Sequence, residues 1–171
     1  TRLILSRNDL AWNVSGYSLI QFPHLVHLDL YNCKLYWTFS KSIFLIPTLQ
    51  YLDVSYNDQI SGTLPHFPAE NSSLRYINLG GTLFSGEIPD STSYLMSLQT
   101  LYLYHCHFHG QFPTSIFLNP NLQSISLFNN SLLTGTLPEF PIGSSSLQFI
   151  SLSYTTFSGK LTVYLQFGAI G

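Results

Sequence analysis

Apolar residues recur along this chain in a frame that alternates a spacing of two with a longer gap. From Leu98 to Pro113, leucines fall at 98, 101 and 103, Cys106 follows three places on, and Phe108, Gly110, Phe112 and Pro113 close the unit. The second apolar position of the frame recurs at Leu3, Leu28, Leu52, Ile77, Leu101, Ile125 and Ile150, with steps of 25, 24, 25, 24, 24 and 25 residues. A period this even marks a repeat architecture in which no unit buries its apolar face alone, so that stacked coils share one core. The repeats run near 1–24, 25–48, 49–73, 74–97, 98–121, 122–146 and 147–171, and together they form a single domain.

Within each unit the alternation predicts a short strand, because successive strand side chains point to opposite faces. Leu3/Leu5, Leu28/Leu30, Leu52/Val54, Ile77/Leu79, Leu101/Leu103, Ile125/Leu127 and Ile150/Leu152 are expected inside the coil. Ile4, Asp29, Asp53, Asn78, Tyr102, Ser126 and Ser151 are expected outside, on an exposed parallel sheet. After each strand stands Asn8, Cys33, Asn57, Thr82, Cys106, Asn130 or Thr155. The chain turns inward there, and buried backbone groups need partners that Asn, Thr or, weakly, Cys can provide. Then come Gly62-Thr63-Leu64-Pro65, Gly86-Glu87-Ile88-Pro89, Gly110-Gln111-Phe112-Pro113 and Gly135-Thr136-Leu137-Pro138, with Trp37 and Ser40 replacing Gly and Pro in the second unit. This is the leucine-rich-repeat frame. The expected fold is an α/β repeat solenoid: a right-handed coil with a parallel β-sheet on the concave face and short 3₁₀ or irregular segments on the convex face.

A longer period overlies the short one. Ser42-Ile43-Phe44 returns as Ser115-Ile116-Phe117, Leu49-Gln50 as Leu122-Gln123, Phe84-Ser85-Gly86 as Phe157-Ser158-Gly159, and Cys33 as Cys106, all offset by 73 residues. Repeats 2–4 are thus a duplicate of repeats 5–7. The Gly-x-Ile/Leu-Pro endings, the Ser-Ile-Phe-x-x-Pro-x-Leu-Gln block and the Phe-Ser-Gly motif resemble plant extracellular leucine-rich-repeat proteins. More narrowly, they resemble the ectodomains of receptor-like proteins of the Verticillium-wilt-resistance type. The resemblance implies a curved solenoid with a second short strand near the Gly110-type positions, a secreted or cell-surface setting, and recognition of a ligand or a co-receptor. It also implies cysteine-paired caps, which this chain lacks, so it reads as an uncapped mature fragment.

Composition sharpens that picture. Charged residues make up 8% of the 171 residues, against about 25% in a typical soluble domain, so Tyr, Ser, Thr, Asn and Gln must wet the surface. Six Lys and Arg with a net charge of −2 give no phosphate-binding footprint, so nucleic acid is not an expected partner. No apolar run reaches the roughly 18 residues of a membrane span.

Candidate chemistry is sparse. Cys33 and Cys106 hold one position three repeats apart, which places them roughly 14 Å apart at about 4.8 Å per parallel strand. That is beyond the ~7 Å a disulfide allows, so two buried free thiols are expected. His105, His107 and His109 alternate around Cys106, but alternation puts only His107 and His109 on one face, with His105 at the edge of the concave sheet, and no carboxylate joins them, so no metal site and no cofactor are expected. Sequons occur at Asn13, Asn71 and Asn129, with Asn71 the best placed for a glycan and Asn129, at a strand end, the worst. No nucleophile elbow, zinc-protease or phosphate-loop motif appears, so catalysis is not expected.

The outward columns carry the functional information. Asp29, Tyr31, Tyr51, Asp53, Tyr76, Tyr102, Tyr104, Phe128 and Phe149 form the expected ligand-binding set, with Tyr56 and Tyr154 beside them. Aromatics with polar handles clustered on one face suit a protein, peptide or glycan ligand. The leading reading is the recognition module of a plant-type extracellular receptor. Competing readings are a secreted inhibitor of a microbial wall-degrading enzyme, a fibre of copies stacked through uncapped ends, and an ice-binding repeat, which the aromatic columns disfavour.

Overall fold

The computed structural model describes residues 1–9, 21–69, 72–140 and 146–159. Seven three-residue strands build one parallel sheet: β1 (Arg2–Ile4), β2 (His27–Asp29), β3 (Tyr51–Asp53), β5 (Tyr76–Asn78), β7 (Thr100–Tyr102), β9 (Ser124–Ser126) and β11 (Phe149–Ser151). They lie side by side in that order, one per expected repeat, and each is in register with the next, Leu52 facing Leu28 and Ile77 in its neighbours. A second parallel sheet follows the inward turns. It contains β4 (Asn57–Gly62), β6 (Thr82–Gly86), β8 (His107–Gln111), β10 (Leu132–Thr136) and β12 (Thr156–Ser158). In the second repeat, where Trp37 replaces the glycine, this sheet is reduced to a single bridge between Thr38 and Ser61. The remaining arc holds little helix among the described residues: one α-helical turn at Lys41–Phe44 and 3₁₀ turns at Asp90–Tyr94 and Thr114–Leu118.

The inward apolar residues of the five central coils are buried, and Leu3, Leu5, Ile150 and Leu152 in the outermost strands' coils are half-buried. On the far side of the core, Phe39, Phe44 and Phe84 form an aromatic cluster with ring centroids 5.6 to 6.1 Å apart. Phe112, Phe117 and Phe157 form a second, with centroids 5.1 to 6.2 Å apart. The two sets differ by 73 in number, so the duplication seen in sequence is a duplication of core packing. A glycine floors each cluster: a Cβ on Gly62 would meet the Phe84 ring at 2.8 Å, and one on Gly135 the Phe157 ring at 2.6 Å.

The residues at the inward turns tie coil to coil. Asn57 Nδ2 donates to Val54 O (2.8 Å) in its own coil and to Leu30 O (2.9 Å) in the preceding one. Its Oδ1 accepts from the Cys33 and Leu35 amides at 2.9 and 3.0 Å. Asn130 repeats the scheme with Leu127 O, Leu103 O and the Phe108 amide. Where Thr or Cys replaces Asn, less is bridged: Thr82 reaches Leu79 O, and Cys106 Sγ donates to the same carbonyl. Cys33 and Cys106 are both buried and unpaired with one another. Burial raises both thiols above their usual range, Cys106 to about 11, so both stay protonated at neutral pH.

Candidate binding surface

The seven-stranded sheet presents two aromatic tracks. The first stands on the strands. His27, Tyr51 and Tyr76 occupy equivalent places on β2, β3 and β5, and parallel pairing brings them into a face-to-face stack with centroids 4.1 and 4.3 Å apart and planes 6° from parallel. Tyr102 continues the track edge-on to Tyr76, its hydroxyl 2.7 Å from Ser124 Oγ. Phe149 is not brought into the set. Thr100 and Ser124 stand between its column position and Tyr76, and its ring is left 50% exposed.

The second track runs along the strand ends. There Arg7, Asn32, Tyr56, Gly81, His105, Asn129 and Tyr154 all take left-handed backbone, with φ between 50° and 68°. Six of the seven are not glycine, and two are tyrosines, for which this conformation is uncommon. Coil-to-coil hydrogen bonds hold it, as in Tyr56 N–H to Gly80 O (2.8 Å) and His105 N–H to Phe128 O (2.8 Å). The result is a zigzag ridge, Tyr31–Tyr56–Tyr104–His105–Phe128–Tyr154, with centroids 4.8 to 6.2 Å apart. The Arg7 guanidinium sits 5.6 Å over the Tyr31 ring at one end. Gly80 makes the middle continuous, because a Cβ there would fall inside the Tyr104 ring, which lies across it.

Two outward carboxylates are not free for a ligand in the way the alternation suggests. Asp53, expected on the exposed sheet, is 5% exposed, and its outward neighbour Asn78 is also buried. The cause is local. Asp29, Asp53 and Asn78 each turn a side-chain oxygen back onto the amide two residues on, at 2.9 to 3.0 Å, as short polar side chains do where strands end. Asp53 further accepts from Ser55 Oγ (2.6 Å), Asn78 Nδ2 (3.2 Å) and, at 3.5 Å, Tyr76 Oη. Asp29 stays half-exposed. Burial is the main influence that pushes the Asp53 carboxyl up, against the Ser55 and Asn78 hydrogen bonds that pull it down. Burial, then the Asp53 charge, drives the Tyr51 hydroxyl up to about 12 and Tyr76 higher still, and burial raises Tyr104 as well. These three hydroxyls therefore stay neutral throughout the physiological range. Because the Tyr76 hydroxyl joins the Asp53–Asn78 network, removing that side chain costs stability as well as contact area.

The spacing rules give Tyr31, Tyr51, Tyr76, Tyr102, Tyr104 and Phe128 as outward residues, and the structure brings them together. His27 and Gly80 stand in the same outward columns, outside the expected ligand-binding set, and His105 is additional. The signal for His105 is its place directly before the inward Asn, Thr or Cys, the left-handed position of every repeat. His107 and His109 lie exposed on β8, on the second sheet, while His105 Nδ1 is 2.7 Å from Asn129 Nδ2. The Asn129 amide is thus engaged at the rim; Asn13 and Asn71 lie outside the described residues.

A family model for the leucine-rich repeat matches residues 73–95, 97–118 and 121–142. The chain is 35% identical over 160 residues to Receptor-like protein 6 of Arabidopsis thaliana, an alignment covering 94% of this chain and 14% of that protein. It therefore spans about a seventh of that relative. Among solved structures it superposes on a TDR receptor with a TM-score of 0.78 and 28% identity, over 91% of this chain and 26% of that one. It also superposes on the plant peptide hormone receptor RGFR1 in complex with RGF2, with a TM-score of 0.70 and 30% identity, over 79% of this chain and 21% of that one. The repeat frame, the paired parallel sheets and these likenesses show a leucine-rich-repeat solenoid, and the chain resembles a segment of the plant receptor-like proteins.

Proposed function

We propose that this chain is the ligand-recognition section of an extracellular plant receptor-like protein, and that it takes an extended peptide or a loop of a partner protein across the seven-stranded sheet. The carrying observation is that two aromatic tracks share one face, the first running over four coils from His27 to Tyr102 and the second reaching across six from Tyr31 to Tyr154, since pre-ordered aromatic rings with polar ends give contact area at little entropic cost. Their near-neutral character favours a ligand of low charge. The similarity to a peptide hormone receptor solved with its ligand supports the same reading, and a co-receptor would then engage a rim of the solenoid once the ligand is seated. The chain contributes binding and no catalytic step.

Panning a displayed random-peptide library against the immobilised chain tests this. Selected peptides are expected to lose about tenfold or more in affinity on Tyr102→Ala and Tyr104→Ala, the size of a hot-spot loss. Gly80→Ala, which drives Tyr104 off its seat, should reproduce the second effect without removing a ring. Tyr94→Ala, in the 3₁₀ turn Asp90–Tyr94, should leave affinity unchanged. Peptides that bind all four variants alike would place recognition elsewhere.

A further inference from the structure

A second site lies beside the aromatic ridge. Asn32, Lys34, Tyr56, Asp58, Gln59 and Gly81 line an open cavity of about 650 Å³, within the range of about 300–1,000 Å³ for small-molecule sites. Three features build it. β4 carries one residue more than β6, and the register between them shifts between Asn57 and Ser61; this bulge leaves Asp58 and Gln59 exposed while Ile60 is buried. Lys34 adds a left-handed residue (φ 54°) outside the column that every repeat shares, the kind of stored strain that clusters at ligand sites. Gly81, the only glycine in its column, leaves the cavity without a wall there.

The duplication supplies an internal comparison. Adding 73 to Lys34, Tyr56, Asp58 and Gln59 gives His107, Asn129, Ser131 and Leu132, all of which line the counterpart cavity of about 220 Å³. Tyr154 stands there in place of Gly81. The larger cavity thus holds an exposed tyrosine ring (55%), two amides, a carboxylate and an ammonium, whereas the smaller one has no tyrosine, carboxylate or ammonium in its lining and a single amide.

We propose that the first cavity binds a neutral saccharide, one or two pyranose units of a longer chain. A pyranose has an apolar C–H face and a rim of hydroxyls. Tyr56 offers the platform for the former. Asn32, Gln59 and Asp58 offer donors and acceptors for the latter. The Lys34 ammonium is held by Asp9 at 2.6 Å, which leaves the Asp58 carboxylate to accept from sugar hydroxyls and to disfavour an anionic ligand. The site shares Tyr56 with the ridge but stands apart from the strand track at Tyr51, Tyr76 and Tyr102, and Asp58, which belongs to neither track, separates its test from that of the peptide reading.

The test is calorimetric titration of the full chain with cellotetraose, xylotetraose, mannotetraose and maltotetraose, with tetragalacturonate as the charged comparison. At least one neutral tetrasaccharide is expected to bind saturably at millimolar or lower concentration. Tyr56→Ala and Gly81→Tyr should each weaken it about tenfold or more, the loss of one central contact. Gly81→Tyr copies the residue that stands at φ 57° in Tyr154, and a Cβ at Gly81 finds its nearest neighbours at an ordinary 3.6 Å; circular dichroism checks that it folds. Asp58→Ala, wholly on the surface, should weaken binding without touching the core. Saturation by none of the neutral tetrasaccharides, binding of tetragalacturonate alone, or equal affinity in Gly81→Tyr and Asp58→Ala would overturn the assignment.

Discussion

Asn57→Ala is expected to cost about 3–5 kcal/mol of folding stability, a large share of the roughly 5–15 kcal/mol of a typical domain. The side chain is fully buried and serves four backbone groups of two coils at 3.0 Å or closer: the Cys33 and Leu35 amides and the Leu30 and Val54 carbonyls. Alanine leaves all four buried without that partner, and each orphan costs about 1–3 kcal/mol before relaxation. Asn57→Thr should cost about half as much, because a threonine hydroxyl keeps the bond to its own coil, as Thr82 does with Leu79 O and Thr155 with Leu152 O at 2.6 Å each. Urea unfolding followed by circular dichroism gives both values. An alanine variant within about 1 kcal/mol of the parent would mean that the coils are not tied through this residue.

The second large effect is in the aromatic core. Phe84→Ala should destabilise by about 3–5 kcal/mol, the usual range for a buried phenylalanine whose cavity only partly collapses. Phe84 is fully buried against Phe39 and Phe44, over the bare backbone of Gly62. Phe157, its counterpart, is only half-buried, so Phe157→Ala should cost visibly less under the same urea assay. Equal losses at 84 and 157 would contradict the burial difference between the two triads.

Much of this was legible in the sequence. The Leu-x-Leu alternation gave both the strands and their inward residues, because burial of one face fixes the register of a strand. The 73-residue offset pointed to paired core units. What spacing could not reveal was local hydrogen bonding. Asp53 alternates outward like Asp29, yet its carboxylate folds back on Ser55 and lies beneath Tyr76. The left-handed backbone at Tyr56 and His105 was equally hidden, since neither residue type signals it; only the coil-to-coil amide bonds make it affordable. The same reason conceals the ridge: Tyr104 joins Tyr56 across two coils only because Gly80 between them has no side chain. Sequence gave the columns, and packing between columns made the surface.

The central claim is that the aromatic face of the seven-stranded sheet is where a ligand sits. Incorporating 3-fluorotyrosine and assigning resonances by single Tyr→Phe changes puts a probe on each ring. Titration with a peptide selected on the chain should shift the fluorine signals of Tyr51, Tyr76, Tyr102 and Tyr104 saturably, and leave Tyr94 unmoved. Movement of Tyr94 with the four sheet tyrosines silent would contradict the account.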